Sequence, residues 1–169
     1  MVRRAIFLSG FHNWGKSTII KSIFNQSYRN LEVPGQIFTL WRQNFLVQHK
    51  SNDDYPKSYL TLISNELTLN KNEDLFTTLC PSMEPKNKFT DILSNQVFHS
   101  FQELYLLLIE YKWENHAKLI TSNIEKEINS IKTNLQIKNK NICSITINSQ
   151  DNDTKLQQIT TEIKKIYGI

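Results

Sequence analysis

Short apolar runs alternate five times with longer amphipathic stretches along this chain, and that alternation constrains the fold more than any other feature. Arg4 to Ser9 reads as a buried strand, followed from about Ser17 by a helix with Ile19, Ile20, Ile23 and Phe24 on one face. Gln36 to His49 is rich in Ile, Phe, Leu, Trp and Val and is broken by Arg42-Gln43-Asn44, which fits a hairpin or a strand preceded by an extended loop. Ser51-Asn52-Asp53-Asp54 carries helix-start residues, and Tyr55 to Leu69 spaces Tyr59, Leu60, Leu62, Ile63 and Leu67 as one face of a helix. Leu75 to Cys80 predicts a third strand stopped by Pro81, Phe89 to Phe101 a helix with Ile92, Leu93, Val97 and Phe98 inside, and Leu104 to Glu110 a fourth strand. His116 to Ile137 and Thr154 to Tyr167 have helical spacing and flank a fifth strand, Ile142 to Ile147. Five such βα units predict an α/β three-layer sandwich, with a five-stranded, mostly parallel sheet and helices on both faces. The 169 residues fit one domain.

Composition narrows the function classes. Twenty Lys and Arg against 16 Asp and Glu give a net charge of +4, enough to favour phosphates but too little to specify nucleic acid. The longest strongly apolar run, Leu104 to Ile109, is far below the roughly 20 residues of a membrane helix, so no membrane association is expected. Cys80 and Cys143 have no paired spacing and Ser9-Gly10 interrupts any leader-like run, so the expected compartment is the cytoplasm. Neither these cysteines nor His49, His99 and His116 have transition-metal ligand spacing.

The chemistry concentrates in Gly10-Phe11-His12-Asn13-Trp14-Gly15-Lys16-Ser17-Thr18, between the first strand and the first helix. Gly10-x-x-x-x-Gly15-Lys16-Ser17 satisfies the phosphate-loop pattern. Its glycines let successive backbone N–H groups point inward, Lys16 supplies charge for the β- and γ-phosphates, and Ser17 offers a hydroxyl to Mg²⁺. The helix that follows adds its positive dipole end. His12 and Trp14 are bulky for such a loop; Trp14 is expected to point outward, and His12 to lean toward the terminal phosphates. Trp41 and Trp113 are read as packing residues.

On these residues the chain resembles the P-loop NTPase superfamily, and its alternating layout resembles the small nucleotide-kinase and polynucleotide-kinase branch. The stretch Lys50-Ser51-Asn52-Asp53-Asp54-Tyr55 is similar to the segment in which such polynucleotide kinases place the carboxylate that activates the acceptor hydroxyl. The resemblance therefore implies Asp53 as general base, with Asn52 and Pro56 standing where the family has arginines. Physically, a carboxylate at the end of a strand beside the loop faces the ligand crevice of an open α/β sheet, although it equally fits a cap on the next helix. The Mg²⁺-side acid expected at the end of the third strand is missing from Thr77 to Met83, which leaves Glu110, after the fourth strand, and Glu84 as candidates. Arg42 is the arginine best placed to offset phosphoryl charge, with Lys112 and Lys118 as lysine substitutes, since no arginine follows Arg42.

No Asp-x-x-Gly follows the second or third strand, and Asn70-Lys71-Asn72-Glu73 precedes a strand instead of following one, which argues against a GTPase. A nucleic-acid motor needs more chain. Two functions remain. One is an ATP·Mg²⁺ (or GTP) phosphotransferase acting on a small molecule or a nucleic-acid 5′-hydroxyl. The other is a nucleotide-binding switch or accessory subunit with slow or no hydrolysis, acting through a protein partner.

Overall fold

A computed structural model describes residues 2–112, 117–133 and 141–169. The chain order is β1 (Arg4–Ser9), α1 (Lys16–Phe24), α2 (Tyr28–Leu31), β2 (Ile37–Leu40), β3 (Gln43–Gln48), α3 (Tyr59–Leu69) and β4 (Asp74–Leu79). There follow α4 (Phe89–Leu93), a 3-10 turn (Gln96–Phe98), β5 (Glu103–Ile109), α5 (Thr121–Lys132), β6 (Asn141–Ile147) and α6 (Asn152–Tyr167). The architecture is α/β, built on a six-stranded, mostly parallel sheet in the order β2-β3-β4-β1-β5-β6. The strand beyond the expected five is β2, which pairs antiparallel with β3 at one edge.

β1 lies in the middle because it is apolar on both faces; Ala5 to Leu8 are fully buried. On one face Phe24 of α1 meets Phe38, Phe45 and Phe76 edge to face, and Tyr167 of α6 packs on Phe45. On the other face Phe7 meets Phe98, and Tyr59 of α3 bonds Thr77 and the Thr78 carbonyl. Helices therefore cover both faces, as a parallel sheet requires.

Several expected boundaries shift for local reasons. The hairpin reading of Gln36 to His49 holds, but the turn is Trp41-Arg42, both at positive φ (49° and 67°). α3 begins at Tyr59 instead of Tyr55, since Ser51 to Ser58 close on themselves through Asp54 N–H and Tyr55 N–H to the Ser51 carbonyl. The helix expected over Phe89 to Phe101 stops at Leu93 and resumes as the 3-10 turn. α5 spans only Thr121–Lys132; Trp113, His116, Leu135 and Ile137 lie outside the described residues. Among the described residues no helix is long and apolar enough to cross a membrane.

The topology also fixes where a ligand can lie. The chain leaves β1 toward β3 on one side, whereas the β4–β5 connection passes to the other side of β1. The crevice beyond the carboxyl ends of β1 and β4 is thus a topological switch point, the preferred ligand position in open α/β sheets. At this end of the sheet lie the segments following β1, β3, β4, β5 and β6.

Candidate functional site

The glycine loop starts where Gly10 N–H donates to the Leu79 carbonyl (3.1 Å), which ties it to β4. Asn13 and Gly15 take positive φ (59° and 77°), conformations that asparagine tolerates and glycine adopts freely, and the chain then enters α1 at Lys16. Trp14 does not point outward as expected; it is only 5% exposed, its indole against the bare Cα of Gly10. A Cβ at position 10 would stand in ordinary contact with that ring, 3.4 Å away. Phe11, exposed, meets Trp14 edge to face.

Lys16 is 7% exposed and its ammonium donates to the carbonyls of Gly10 (2.7 Å) and Phe11 (2.8 Å). Burial pulls its pKa below the ordinary lysine value, while Asp53, 4.0 Å away, favours the charged form. Ser17 Oγ donates to the His49 carbonyl (2.8 Å), which leaves its lone pairs free. Thr18 shares a hydrogen bond with the Tyr28 hydroxyl (3.1 Å).

Asp53 reaches the same place from the segment after β3. One carboxylate oxygen accepts from Ser51 Oγ. The other, Oδ2, is shut from solvent and makes no hydrogen bond among the described residues; His12 Nδ1 stands 3.5 Å from it. The helix-cap alternative for Asp53 finds no support here, because α3 starts after Ser58 and the carboxylate that closes the Ser51 turn is that of Asp54, accepting from Ser51 N–H (3.0 Å). His12 leans on Asp53 and Asp54 (3.7 Å), so these three residues form one cluster at the loop.

Asn52, fully buried, holds Asp53 in position. Its amide pairs with both Cys80 N–H (2.6 Å) and the Cys80 carbonyl (3.1 Å), and Asn87 donates to its backbone carbonyl (3.1 Å). Burial and the nearby Asp53 charge push the Cys80 thiol up to about 12, so it stays protonated and unreactive at neutral pH. Asn52→Ala strands two backbone groups of Cys80 and should cost about 1 to 2 kcal/mol. A thermal melt should show it as a loss of several degrees.

Three cavities meet at His12. The first, of about 770 Å³, lies over the glycine loop and is lined by Lys16, Ser17, Thr18, Asp54 and Lys112, with Asn152, Asp153 and Leu156 of α6 on its far wall. The second, about 620 Å³, adjoins Ser17, Tyr28, His49, Asp53 and Asp54. The third, about 1220 Å³, opens on the other side of Asp53. Comparison with protein-family models finds no match. Comparison with curated proteins finds none either.

The structure thus brings together Gly10, His12, Asn13, Gly15, Lys16, Ser17, Thr18, Asp53 and Lys112. It does not bring Arg42, which stands in the turn before β3, with the strand's whole length, roughly 20 Å, between it and the carboxyl end. Glu110 pairs with Lys118 (3.3 Å) across the Tyr111–Lys118 bridge and lines none of the three cavities; Glu84 lines only the third. Asp54, Asn152 and Asp153 escaped the sequence reading. The helix-start residues Asp151-Asn152-Asp153 after the last strand could have pointed to the α6 wall, since segments after parallel strands gather at one end.

His49 gives the site a pH dependence. Its ring is buried with Nδ1 unpartnered, and burial, aided by Lys50, pulls its pKa below the ordinary histidine value. The unfolded chain then binds a proton near pH 6.5 that the folded chain refuses, so the contribution of His49 to stability is flat above that pH and falls below it, down to the folded pKa. Melts of the parent protein and His49→Gln from pH 7.5 to 5 should show a shallower fall in the variant.

Proposed function

We propose that this chain is a P-loop phosphotransferase of the small-kinase type, taking a nucleoside triphosphate, ATP or GTP, with Mg²⁺ and moving its γ-phosphoryl group to a hydroxyl. The observation that carries the reading is the meeting of a buried Lys16 with the Asp53 carboxylate, 4.0 Å apart, under a glycine loop at the switch point of the sheet. The loop amides and the α1 N-terminus would receive the phosphates, with Lys16 turning from the loop carbonyls onto the β- and γ-oxygens. Lys112, on the wall of the loop cavity, takes the charge-offsetting place considered for Arg42. The acceptor oxygen attacks the γ-phosphorus, its proton passes to the Asp53 carboxylate, and the bond to the β-phosphate oxygen breaks to release the nucleoside diphosphate.

Mg²⁺ fits this donor set. Ser17 Oγ keeps lone pairs free while it donates to His49, and Asp54 lines the same cavity, an oxygen pair of the kind Mg²⁺ accepts alongside phosphates and water. Ser17 and Asp54, the latter through water, are the residues that would hold it, and bound Mg²⁺ neutralises charge on the phosphate oxygens. Calorimetric titration with ATP and GTP, with and without Mg²⁺, tests the reading. Ser17→Ala should remove most of the Mg²⁺ dependence, a loss of about 1 kcal/mol. An unchanged magnesium effect would remove Ser17 from the ligand set.

One observation favours the second reading, a nucleotide-gated partner protein. None of the four arginines lines any of the three cavities, and lysine lacks the bidentate fork that clamps a transferring phosphoryl group. Tight triphosphate binding without turnover on any hydroxyl acceptor would select it.

A further inference from the structure

The third cavity is unlike the loop cavity. Three of the exposed large apolar side chains of the described residues, Phe11, Met83 and Ile120, come from three different segments and stand on its walls. Single exposed apolar residues need no explanation, but three converging on one opening mark a binding surface. Three lysines, Lys57, Lys86 and Lys118, line the same cavity, again from three segments. Lys57 and Lys86 make no ion pair among the described residues, while Lys118 is shared with Glu110. Against them stand Glu84 and, where the cavity adjoins the glycine loop, Asp53.

We infer that this cavity takes a small molecule with an apolar body and one anionic group, the anion held by Lys57 and Lys86. Because it rests on the phosphotransferase reading, the inference adds that the end facing Asp53 carries the hydroxyl. Attack by that oxygen on the γ-phosphorus, loss of its proton to Asp53 and departure of the diphosphate complete the balance. A second anion at that end would meet the Asp53 carboxylate and be repelled. A polynucleotide fits less well: a strand needs a continuous basic track with stacked aromatic rings, and this cavity offers only Phe11 and the His12 ring among its described residues and no arginine.

The probes are 1-anilinonaphthalene-8-sulfonate and its uncharged relative N-phenyl-1-naphthylamine, titrated by fluorescence. The intact protein should bind one sulfonate dye. The double variant Lys57→Glu/Lys86→Glu, both residues being exposed, should weaken the sulfonate at least tenfold and the neutral dye less than twofold. Ile120→Asp should weaken both. Equal losses of the two dyes in the lysine variant, or sulfonate binding untouched by Ile120→Asp, overturn the inference. With ATP and Mg²⁺, 6-(hydroxymethyl)-2-naphthoate should release ADP at least tenfold faster than 6-methyl-2-naphthoate. Equal rates, or a 5′-hydroxyl oligonucleotide that outpaces both, overturn the acceptor class. A fluorescent triphosphate analogue separates the two failures: its loss with dye binding intact sinks the phosphotransferase reading, while its retention with dye binding absent sinks only this inference.

Discussion

Asp53→Asn should lower phosphoryl transfer by roughly 10² to 10⁴, the contribution of a positioned proton acceptor, while triphosphate affinity stays within a few-fold. The geometry makes this a clean substitution. Asp53 caps no helix, since α3 starts after Ser58, and its Oδ1 contact to Ser51 can be kept by the asparagine carbonyl. Only Oδ2 changes, the oxygen with no hydrogen bond among the described residues. Stability should fall by about 1 kcal/mol, because Lys16 loses a compensating charge. A turnover assay beside a thermal melt decides the matter: unchanged turnover in the folded variant removes Asp53 as base. A stability loss well beyond that of about 1 kcal/mol beside the lost turnover would instead assign it a structural role.

Lys16→Met should weaken triphosphate binding by about 2 to 3 kcal/mol, roughly 30- to 150-fold, yet leave the melting temperature nearly where it was. Two opposing terms act on the fold. The substitution deletes two hydrogen bonds to the Gly10 and Phe11 carbonyls, but it also relieves the cost of holding an ammonium in a place where burial already depresses its pKa. No such offset exists for the bound phosphates, which lose their one buried cation. Calorimetry on a variant shown to be folded is the measurement, and undiminished affinity would withdraw the phosphate-binding assignment of the loop.

Much of the sheet could be read from sequence because its central parallel strands, β1, β4 and β5, are largely buried on both faces and appear as apolar runs. Arg4–Ser9 is as expected, and β4, β5 and β6 lie within a residue of expectation. β2 was harder. Its turn, Trp41-Arg42, reaches positive φ without the glycine or asparagine that normally announces a hairpin. The glycine loop was legible through spacing alone, whereas the Asn52–Cys80–Asn87 contacts join residues 28 and 35 positions apart and leave no periodic trace. Trp14 misled for a related reason: only the fold shows the indole turned inward over Gly10. Arg42 misled because proximity in sequence to Asp53 hides the length of the strand between them. Glu110 fits the pattern of an apolar run ending in an acid, but Lys118, brought opposite by the Tyr111 bridge, claims it.

The central place of β1 has a consequence for how the protein is made. Its two neighbours in the sheet are β4, ending at Leu79, and β5, ending at Ile109. Once it has left the ribosome, β1 therefore waits for about a hundred residues before both of its edges can be covered, at a synthesis rate of roughly 5 to 20 residues per second. During those seconds the Phe7 and Leu8 segment has open edges and exposed apolar faces, the condition under which nascent chains aggregate. The glycine loop, whose first amide needs the Leu79 carbonyl, cannot be tied down before β4 is made, and the strand that carries it stays open on its other edge until β5 follows. Nascent chains released before Ile109 should thus be open to protease at Gly10 to Gly15, and those released well beyond it closed.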